Sequence, residues 1–406
     1  MRWSRCLISW IACAIGSSID LSSAHAAPPP TTFRPRVSRA VGVGPLWTAC
    51  ADFNGDGRID VAMGRNGGTN HAITTFYTQP DGTLPLTGTA SPTAFGPSRF
   101  SSGDFNADGR ADLLYFDDPA AGMKLTFGQT NNAFGGTTPL GPAFGADFWG
   151  KTSVGDLNHD GRLDAMMALS RSTSNTGGVA TALALPGGGF QVSTFQTNSD
   201  PHGIANADLD GNGYSDVIIG DESGGEPIRV AYGSSSGTYT VKSFAFNDRG
   251  YGVVARDFNG DGRPDVAAVA YNQNKIGVML TQPNGDLGAP SFFTSATEPY
   301  DIAAGDFNGD GIVDLVSTSV SNIGLIVHPG NGDGTFAPFV VLLASAAGTS
   351  TVSVGDLDGN GYDDIAVAAA SGQNLDIFYA VPEPASVAVV GIGGVMLATR
   401  RRRPRR

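Results

Sequence analysis

Cysteine is scarce in this sequence, with three residues among 406. Cys6 and Cys13 lie within the first 26 residues, so the body of the chain contains Cys50 alone. A single cysteine cannot form an internal disulfide, which excludes the class of small exported domains that are held by disulfide frameworks. The fold must instead be held by its apolar core and by other cross-links, such as bound metal.

The histidine patterns of common enzyme sites are also missing. Histidine is rare, and none of the four in the body of the chain (His71, His159, His202 and His328) has the spacing of a zinc site or of a nucleophile and its base. Positive charge is sparse as well, since 25 Lys and Arg face 38 Asp and Glu, giving a formal net charge of -13. This balance disfavours binding to nucleic acid or to another anionic surface.

Long apolar patterns with a 3.6-residue period are missing, which argues against a helical fold. Glycine is abundant, with 57 residues. Short apolar runs of β type alternate with turn sequences such as Pro80-Asp81-Gly82 and Pro283-Asn284-Gly285. Residues 32–381 are therefore predicted to be nearly all β.

One nine-residue motif is present seven times, and its clearest copy runs from Asp306 to Asp314. Each copy has Asp at position 1, Asn or Asp at position 3, Asp or Asn at position 5, Gly at position 6 and Asp at position 9. Oxygen ligands at odd positions around a permissive glycine form a loop that suits a hard cation. We predict one Ca²⁺ per loop, about seven in all.

The ligand set of each predicted loop comprises positions 1, 3, 5, 7 and 9, and position 7 would bind through its backbone carbonyl, so its side chain can vary. In chain order the sets are Asp52, Asn54, Asp56, Arg58, Asp60; Asp104, Asn106, Asp108, Arg110, Asp112; Asp156, Asn158, Asp160, Arg162, Asp164; Asp208, Asp210, Asn212, Tyr214, Asp216; Asp257, Asn259, Asp261, Arg263, Asp265; Asp306, Asn308, Asp310, Ile312, Asp314; and Asp356, Asp358, Asn360, Tyr362, Asp364.

Two alternatives to a calcium loop of this kind are an EF-hand and a metal-free turn. An EF-hand requires a bidentate Glu at position 12 and flanking helices, whereas position 12 of the first copy is Met63. The second alternative is that Asp and Gly recur because Asx-type turns favour them for backbone reasons, without a bound cation. The convergence of three acids in seven copies favours calcium over turns alone.

Seven units of about 50 residues, each with room for four strands, predict a seven-bladed β-propeller. An aromatic residue or leucine is predicted to open the last strand of most units, and Phe33 holds the equivalent place before the first loop. The last unit ends near Val381 after three strands, so the N-terminal segment is predicted to supply the fourth and close the ring by strand exchange. The residues predicted to open last strands are Leu84, Phe134, Phe190, Tyr239, Leu287 and Phe336.

The repeated Asp-Phe-Asn-Gly-Asp-Gly-x-x-Asp motif, preceded by small-residue strands such as residues 302–305, resembles the FG-GAP and VCBS repeats. This family occurs in bacterial secreted proteins and in the integrin α-subunit propeller. The resemblance spans most of the body of the chain, although the FG and GAP signatures themselves are mostly absent. It implies that each calcium loop joins the first two strands of a blade, all on one face of the disc.

Both ends of the chain carry targeting patterns. Residues 1–26 combine Arg2 and Arg5, an apolar run and the small-x-small ending Ala24-His25-Ala26, which predicts a secretory signal peptide. Residues 382–406 combine Pro-Glu-Pro, a short apolar helix and an arginine tail, and resemble the PEP-CTERM sorting signal. This resemblance implies transient processing by an exosortase and export to the cell envelope or exterior of a Gram-negative-type bacterium. An uncleaved short tail anchor is the alternative.

These observations favour a secreted, non-catalytic calcium-binding propeller that binds or scaffolds extracellular polysaccharide or protein. A carbohydrate-active enzyme, either a polysaccharide lyase or a hydrolase, is the alternative. The ligand is predicted to bind opposite the calcium loops, where the segments leading into the innermost strands hold Trp47, Phe100, Trp149, His202, Tyr251 and Tyr300. Aromatic and hydrogen-bonding side chains of this kind suit sugar rings. The alternative role of these residues is to cap the ends of the strands.

Overall fold

The structure is a computed structural model that describes residues 32–382 except 43, 67–69, 119–121, 141–149, 171–176, 223–227, 322–323 and 347. The predicted signal peptide and all but the first residue of the predicted sorting segment lie outside these described residues. Among the described residues, no helix has both the length and the apolar character needed to cross a membrane.

Thirty strands and one short 3-10 helix, Ala370–Gly372, make up the regular structure of the described residues. In chain order the strands are β1 (Thr32–Phe33), β2 (Val37–Ala40), β3 (Pro45–Ala51), β4 (Asp60–Arg65), β5 (Ala72–Phe76), β6 (Thr89–Pro92), β7 (Ser98–Gly103), β8 (Asp112–Asp118), β9 (Gly122–Gln129), β10 (Ala133–Leu140), β11 (Thr152–Gly155), β12 (Asp164–Leu169), β13 (Gly177–Ala184), β14 (Phe190–Ser199), β15 (Pro201–Ala207), β16 (Asp216–Asp221), β17 (Ile228–Tyr232), β18 (Thr240–Phe244), β19 (Val253–Arg256), β20 (Asp265–Ala270), β21 (Lys275–Met279), β22 (Ser291–Thr294), β23 (Pro299–Gly305), β24 (Asp314–Ser319), β25 (Gly324–His328), β26 (Val340–Leu343), β27 (Thr349–Gly355), β28 (Asp364–Ala369), β29 (Asn374–Phe378) and β30 (Ala380–Val381).

Twenty-eight of these strands form seven antiparallel four-stranded sheets. Blades 1 to 6 each take four consecutive strands, starting with β3, β7, β11, β15, β19 and β23, and blade 7 contains β27, β28, β29 and β2. The first strands of neighbouring blades pack against each other in sequence, and β27 packs against β3. The predicted all-β fold, a seven-bladed β-propeller, is therefore confirmed.

The ring is closed by the two ends of the chain. Strand β2 pairs with β29, aligning Val37 with Ile377, and so provides the outer strand of blade 7. Next to it, β1 pairs with β30, aligning Phe33 with Ala380. The predicted strand exchange is thus present, with the fourth strand of the last blade supplied from the N-terminal side.

Burial changes from the inside of each blade to its outer edge. Second strands such as β20 are buried along their whole length, because both of their faces pack against neighbouring blades. The outer strand β18 is instead largely exposed, and it is richer in polar residues. Apolar clusters lie between blades: Ala62 and Ile73 of blade 1 pack with Leu113 and Tyr115 of blade 2. The continuous apolar runs of the sequence are therefore explained by strands covered on both faces.

The aromatic and leucine residues expected to open the last strands have a different role in most blades. Phe134 and Phe190 lie at the start of β10 and β14, as expected, but Leu287 and Phe336 form isolated bridges with Thr281 and Gly330 before the outer strand starts. Several of these rings insert between blades, against the phenylalanine at position 2 of an acidic loop. The ring pairs, with centroid separations of 5.3 to 6.2 Å, are Phe53 with Phe134, Phe105 with Phe190, Phe258 with Phe336, and Phe307 with Phe33. The positions were recognised correctly, but their role is to pack between blades.

Candidate functional site

The seven acidic loops all lie on one face of the ring. Each loop starts where the first strand of a blade ends and finishes where the second strand begins, as between β15 and β16. Because the second strand runs antiparallel to the first, every such connection lies at the same end of the blades. The expected position of the loops within the blades is therefore observed.

The fourth loop illustrates how each loop is held. The carboxylate of Asp208 accepts backbone N–H groups from Asn212 at 3.0 Å and from Gly213 at 2.8 Å. Asn212 Nδ2 donates to the carbonyl oxygen of Gly233, which begins the segment after the third strand. Gly213, at position 6, has a φ of 87°, a left-handed conformation that glycine adopts without a steric penalty. The chain therefore wraps around a group of side-chain oxygens.

Position 9 has a second, structural role in every loop. Asp216 is buried, and its two oxygens accept the N–H groups of Leu209 and Gly233, each at 2.9 Å. Burial raises the pKa of Asp216 to about 7, with the neighbouring loop carboxylates adding to the effect, and the same holds for Asp364. A buried carboxylate with a raised pKa is costly to ionise unless positive charge is nearby. Binding of a proton or of a cation to the carboxylate at position 9 is therefore favourable.

Carboxylates converge most closely in the fourth and seventh loops. Oxygens of Asp208, Asp210 and Asp216 lie within 4.8 Å of one another, and the same is true of Asp356, Asp358 and Asp364. Carboxylate and carbonyl oxygens are the ligands that Ca²⁺ prefers, so the donor set fits this ion. These are the two loops that have Asp at position 3.

Four other loops balance their acids internally. In the first loop, the guanidinium of Arg58 pairs with the carboxylate of Asp56, two positions earlier, and its Nε donates to the carbonyl of Thr78 at 3.0 Å. The same pairing occurs between Arg110 and Asp108, Arg162 and Asp160, and Arg263 and Asp261. Arginine at position 7 therefore reduces the charge of these loops, in addition to leaving its carbonyl available.

A cavity of about 460 Å³ lies on the opposite face, near the ring axis. Its lining residues belong to blades 2 to 6 and are Arg99, Ser170, His202, Glu222, Tyr251, Tyr271, Tyr300 and Val320. Most of them occupy two repeated places: six residues before position 1 of an acidic loop, or six residues after position 9. Antiparallel pairing of the first two strands brings these two places together at the far end of each blade.

Three of the predicted ligand residues meet in this cavity. The rings of His202 and Tyr251 are 4.9 Å apart, and those of Tyr251 and Tyr300 are stacked at 5.2 Å. His202 Nδ1 lies 3.1 Å from the carbonyl oxygen of Tyr251, and its Nε2 lies 3.3 Å from the hydroxyl of Tyr300. An imidazole that donates through Nδ1 and accepts at Nε2 is neutral. In agreement, the pKa of His202 is lowered to about 3, mainly by burial and secondly by the positive charge of the nearby Lys151.

An acid and a tyrosine line the wall of blades 4 and 5. The hydroxyl of Tyr251 donates to the carboxylate of Glu222 at 3.3 Å, and Arg249 Nη1 donates to the same hydroxyl at 3.3 Å. Burial raises the pKa of Glu222, and the charge of Asp200 raises it further. Tyr271 stands beside this group, with its ring centroid 5.0 Å from that of Tyr251. The wall therefore offers hydroxyl and carboxyl groups beside aromatic surface.

Arg99 and Lys151 provide positive charge in this region, in addition to Arg249 beside Glu222. The guanidinium of Arg99 lies 5.4 Å from the ring of Trp47 and 5.7 Å from that of Phe116. Lys151 of blade 3 pairs with Asp301 of blade 6. Because these two blades are not neighbours in the ring, the ion pair crosses the inside of the ring. Asp301 also accepts the backbone N–H of Val352 at 3.1 Å. Lys151, Asp301 and Val352 thus link blades 3, 6 and 7 close to the cavity.

The remaining predicted ligand residues are placed differently. Trp47 is not among the cavity-lining residues, and its ring packs against Arg99 instead. Phe100 packs edge-on against Tyr115 in the core between blades 1 and 2. Trp149 lies outside the described residues. Arg99, Glu222 and Tyr271 were not predicted. Glu222 and Tyr271 lie six residues after position 9 of an acidic loop, a repeated place that could have revealed them, whereas Arg99 lies five residues before position 1 of its loop.

Comparison with known proteins supports the architecture. The chain is similar to a lectin from Agrocybe aegerita whose structure concerns recognition of non-reducing terminal N-acetylglucosamine, with 18% identity, a TM-score of 0.53, and coverage of 74% of this chain and 81% of the lectin. It is also similar to BBS1N in complex with ARL6DN, with 10% identity, a TM-score of 0.58, and coverage of 88% and 99%. At these identities the likeness concerns the fold. No curated protein sequence matches the chain.

The repeats themselves match a known family. Residues 52–115, 208–268, 257–317 and 306–367 match the FG-GAP-like repeat, and each match begins at the first Asp of an acidic loop. Taken together, they cover more than half of the 406 residues. The chain therefore belongs to the FG-GAP-like repeat family.

Proposed function

We propose that this protein is a secreted, non-catalytic propeller that binds or scaffolds extracellular polysaccharide or protein, and that its ligand site is the aromatic cavity. The observation that carries the proposal is the convergence of His202, Tyr251 and Tyr300 from three consecutive blades around one cavity. Ligand sites are typically concave, with aromatic walls and a few well-placed polar groups. The cavity meets this description.

Carbohydrate is the ligand class that the side chains favour. Tyrosine rings offer apolar faces to a sugar ring, while the hydroxyl of Tyr251 and the carboxyl of Glu222 can exchange hydrogen bonds with sugar hydroxyls. The similar fold of the Agrocybe aegerita lectin is consistent with this use of a propeller.

A panel of polysaccharides tests the proposal. We expect Tyr271→Ala to weaken binding about tenfold, because aromatic contacts contribute about 1 kcal/mol or more beyond the area that they bury. Phe339→Ala, at an exposed aromatic residue outside the cavity, is the matched control and is expected to leave ligand affinity unchanged. If Tyr271→Ala melts normally and binds as well as the unmodified protein, the cavity is not the site.

We further propose that each acidic loop holds one Ca²⁺ through positions 1, 3, 5, 7 and 9. When bound, the ion would offset two of the three negative charges of a loop and link the first strand of a blade to the second. Two features of the residues support this fit: the buried position-9 carboxylate and the converging carboxylates of the fourth and seventh loops.

Calcium stoichiometry tests this second proposal. Equilibrium dialysis is expected to give about seven ions per chain, with dissociation constants of roughly 10⁻⁴ to 10⁻³ M, as in other extracellular modules. Asp310→Ala is expected to weaken one site and spare the other six. A protein that binds no calcium would instead support the Asx-turn interpretation.

A carbohydrate-active enzyme is the second candidate function, and one observation favours it. The Tyr251 hydroxyl lies between Glu222 and Arg249 at the cavity wall, and the pKa of the Glu222 carboxyl is raised, as expected of a proton donor. Polysaccharide chains of unchanged length after prolonged incubation would exclude this candidate. Shortened chains whose formation requires Glu222 would replace the non-catalytic proposal.

Export and sorting complete the proposal. The protein is proposed to reach the cell envelope or the exterior, with residues 382–406 as a signal for an exosortase-type enzyme and no contact with nucleic acid. Strand β30 ends at Val381, and Thr32 Oγ1 donates to its carbonyl oxygen at 3.0 Å, so the closed ring needs none of the tail. Deletion of residues 382–406 is expected to release a folded propeller into the medium. Recovery of mature protein with its arginine tail intact would contradict cleavage.

A further inference from the structure

Charge is distributed unevenly around the cavity. Arg99 from blade 2 and Glu222 from blade 4 both line it. Arg99 is buried, and it acts electrostatically on His202 and Tyr300, whereas Glu222 contacts Tyr251 next to Arg249. One part of the cavity is therefore positive, and another offers a carboxyl group.

The positive part extends beyond Arg99 itself. Lys151 also acts on His202, and its ammonium lies 5.7 Å from the ring centroid of Tyr300. The negative charge that faces Lys151 is Asp301, which is itself held by the N–H groups of Ile302 and Val352. Two cations thus surround the neutral His202–Tyr300 pair, in a chain whose net charge is -13.

Arg99 is held in an unusual conformation. Its φ is 57°, in the left-handed region that side chains other than Gly, Asn and Asp rarely adopt. It lies in a bulge of β7, where the pairing register shifts between Ser98 and Ser101. Its carbonyl accepts the Thr152 hydroxyl at 2.5 Å, and its Nη1 donates to the Ser98 hydroxyl at 2.9 Å. Backbone strain of this kind clusters at ligand sites, where the surrounding structure imposes it.

We infer that the cavity binds an acidic sugar, a uronate residue of an anionic polysaccharide, with the Arg99 guanidinium receiving the sugar carboxylate. The inference rests on the proposed binding function and adds the chemical class of its ligand. A guanidinium matches the two oxygens of a carboxylate with parallel hydrogen bonds. Tyr271 and Glu222 then lie on the side of the cavity that would meet the ring and hydroxyl groups of the sugar. The aromatic wall favours a sugar over an acidic peptide.

A pair of ligands that differ in charge alone tests this inference. Trisaccharides of galacturonate and their methyl esters share one ring skeleton, and only the acid form carries carboxylates. Calorimetric titration is expected to show the acid form binding about 10- to 100-fold more tightly, as for hydrogen bonds to charged groups. Added salt is expected to reduce this preference.

Substitutions at Arg99 locate the effect. Arg99→Gln is expected to abolish the preference for the acid form, while Arg99→Lys is expected to retain part of it. The control is Arg256→Gln, because Arg256 is exposed at the end of β19 that leads into the fifth acidic loop. If Arg99→Gln does not fold, the comparison of acid with ester on the unmodified protein still decides the question of charge.

The outcomes separate this inference from the proposed function. Equal affinity for acid and ester, with binding that still depends on Tyr271, overturns the acidic ligand and leaves the carbohydrate proposal standing. Binding of a poly-glutamate peptide but of no saccharide, lost in Arg99→Gln, overturns the sugar in favour of an acidic protein partner. Failure of every saccharide and peptide to bind overturns both the inference and the proposed function.

Discussion

The two faces of the ring are made from opposite ends of the same strands. They differ in how closely the residues at equivalent positions repeat from blade to blade. On one face, every blade presents a loop with Asp at positions 1 and 9. On the other face, the place six residues before each loop holds five different residue types among the seven blades. In chain order these residues are Leu46, Ser98, Gly150, His202, Tyr251, Tyr300 and Ser350.

This difference shows which requirements all blades share. Each blade must link its first two strands and satisfy the buried N–H groups at that turn, and the repeated loop does this seven times. The cavity requires groups from only some blades, so His202, Tyr251 and Tyr300 have no counterparts in the other four. Residues that repeat in every blade therefore hold the ring together, whereas residues that differ between blades form the candidate ligand site.

Removal of calcium is expected to give the largest change in stability. It is expected to act only through the loops of the acidic face. At a calcium concentration ten times the dissociation constant, each filled loop stabilises the folded state by about 1.4 kcal/mol, so seven loops contribute roughly 10 kcal/mol. Differential scanning calorimetry in calcium and in EGTA measures the loss as a lower melting temperature. Identical melting temperatures would show that the repeated loops hold the ring together without metal.

Substitution within a single loop separates structure from metal binding. In EGTA, Asp216→Ala is expected to cost about 2 kcal/mol or more, because the N–H groups of Leu209 and Gly233 lose a buried acceptor. Asp210→Ala, exposed in the same loop, is expected to cost less than about 1 kcal/mol in EGTA. Urea unfolding measures both. Equal costs for the two variants would remove the distinction between position 9 and position 3.

The cavity face is expected to respond to pH through His202. Its pKa is about 3 in the folded protein against an ordinary 6.5, so the unfolded chain binds more protons between these values, and stability falls as pH decreases below 6.5. At pH 5 this cost is about 2 kcal/mol relative to pH 7 or above. His202→Gln can keep a donor and an acceptor without titrating, so its stability relative to the unmodified protein should rise by that amount between pH 7 and pH 5. A constant difference would contradict a buried neutral imidazole.

Backbone strain in the acidic loops gives the smallest expected effect. Position 4 is left-handed in all seven loops, and it is glycine in five, but Ala107 and His159 occupy it with φ values of 57°. Ala107→Gly is expected to stabilise the protein by about 1 kcal/mol, because a Cβ is unfavourable in this region. Gly211→Ala, whose added Cβ would have open space, is expected to cost a similar amount. Unfolding in EGTA measures both, and a destabilising Ala107→Gly would contradict the argument.

The fold could be predicted from the sequence because the repeat gives both the number of blades and the place where the last one is incomplete. The acidic loops followed from the spacing between Asp306 and Asp314 and its six counterparts. The role of Phe336 and its equivalents was misassigned, because insertion between blades depends on a neighbouring blade that the local sequence does not show. Arg99 was missed because it lies outside the repeated places and lines the cavity only after blades 2 to 6 have come together.

The strand exchange that closes the ring also imposes an order in time. Strand β2 is synthesised before any blade, but its partner β29 comes almost last, and Ser38 and Asp376, which join them through a 2.6 Å hydrogen bond, are 338 residues apart. Contacts at such separation form slowly, since nearly the whole chain must be gathered first. Until then β29 has an unpaired edge of the kind that invites association between chains. Synthesis that stops before blade 7 would leave β2 without a partner, so a truncated chain would expose an unpaired strand edge at its N-terminal end.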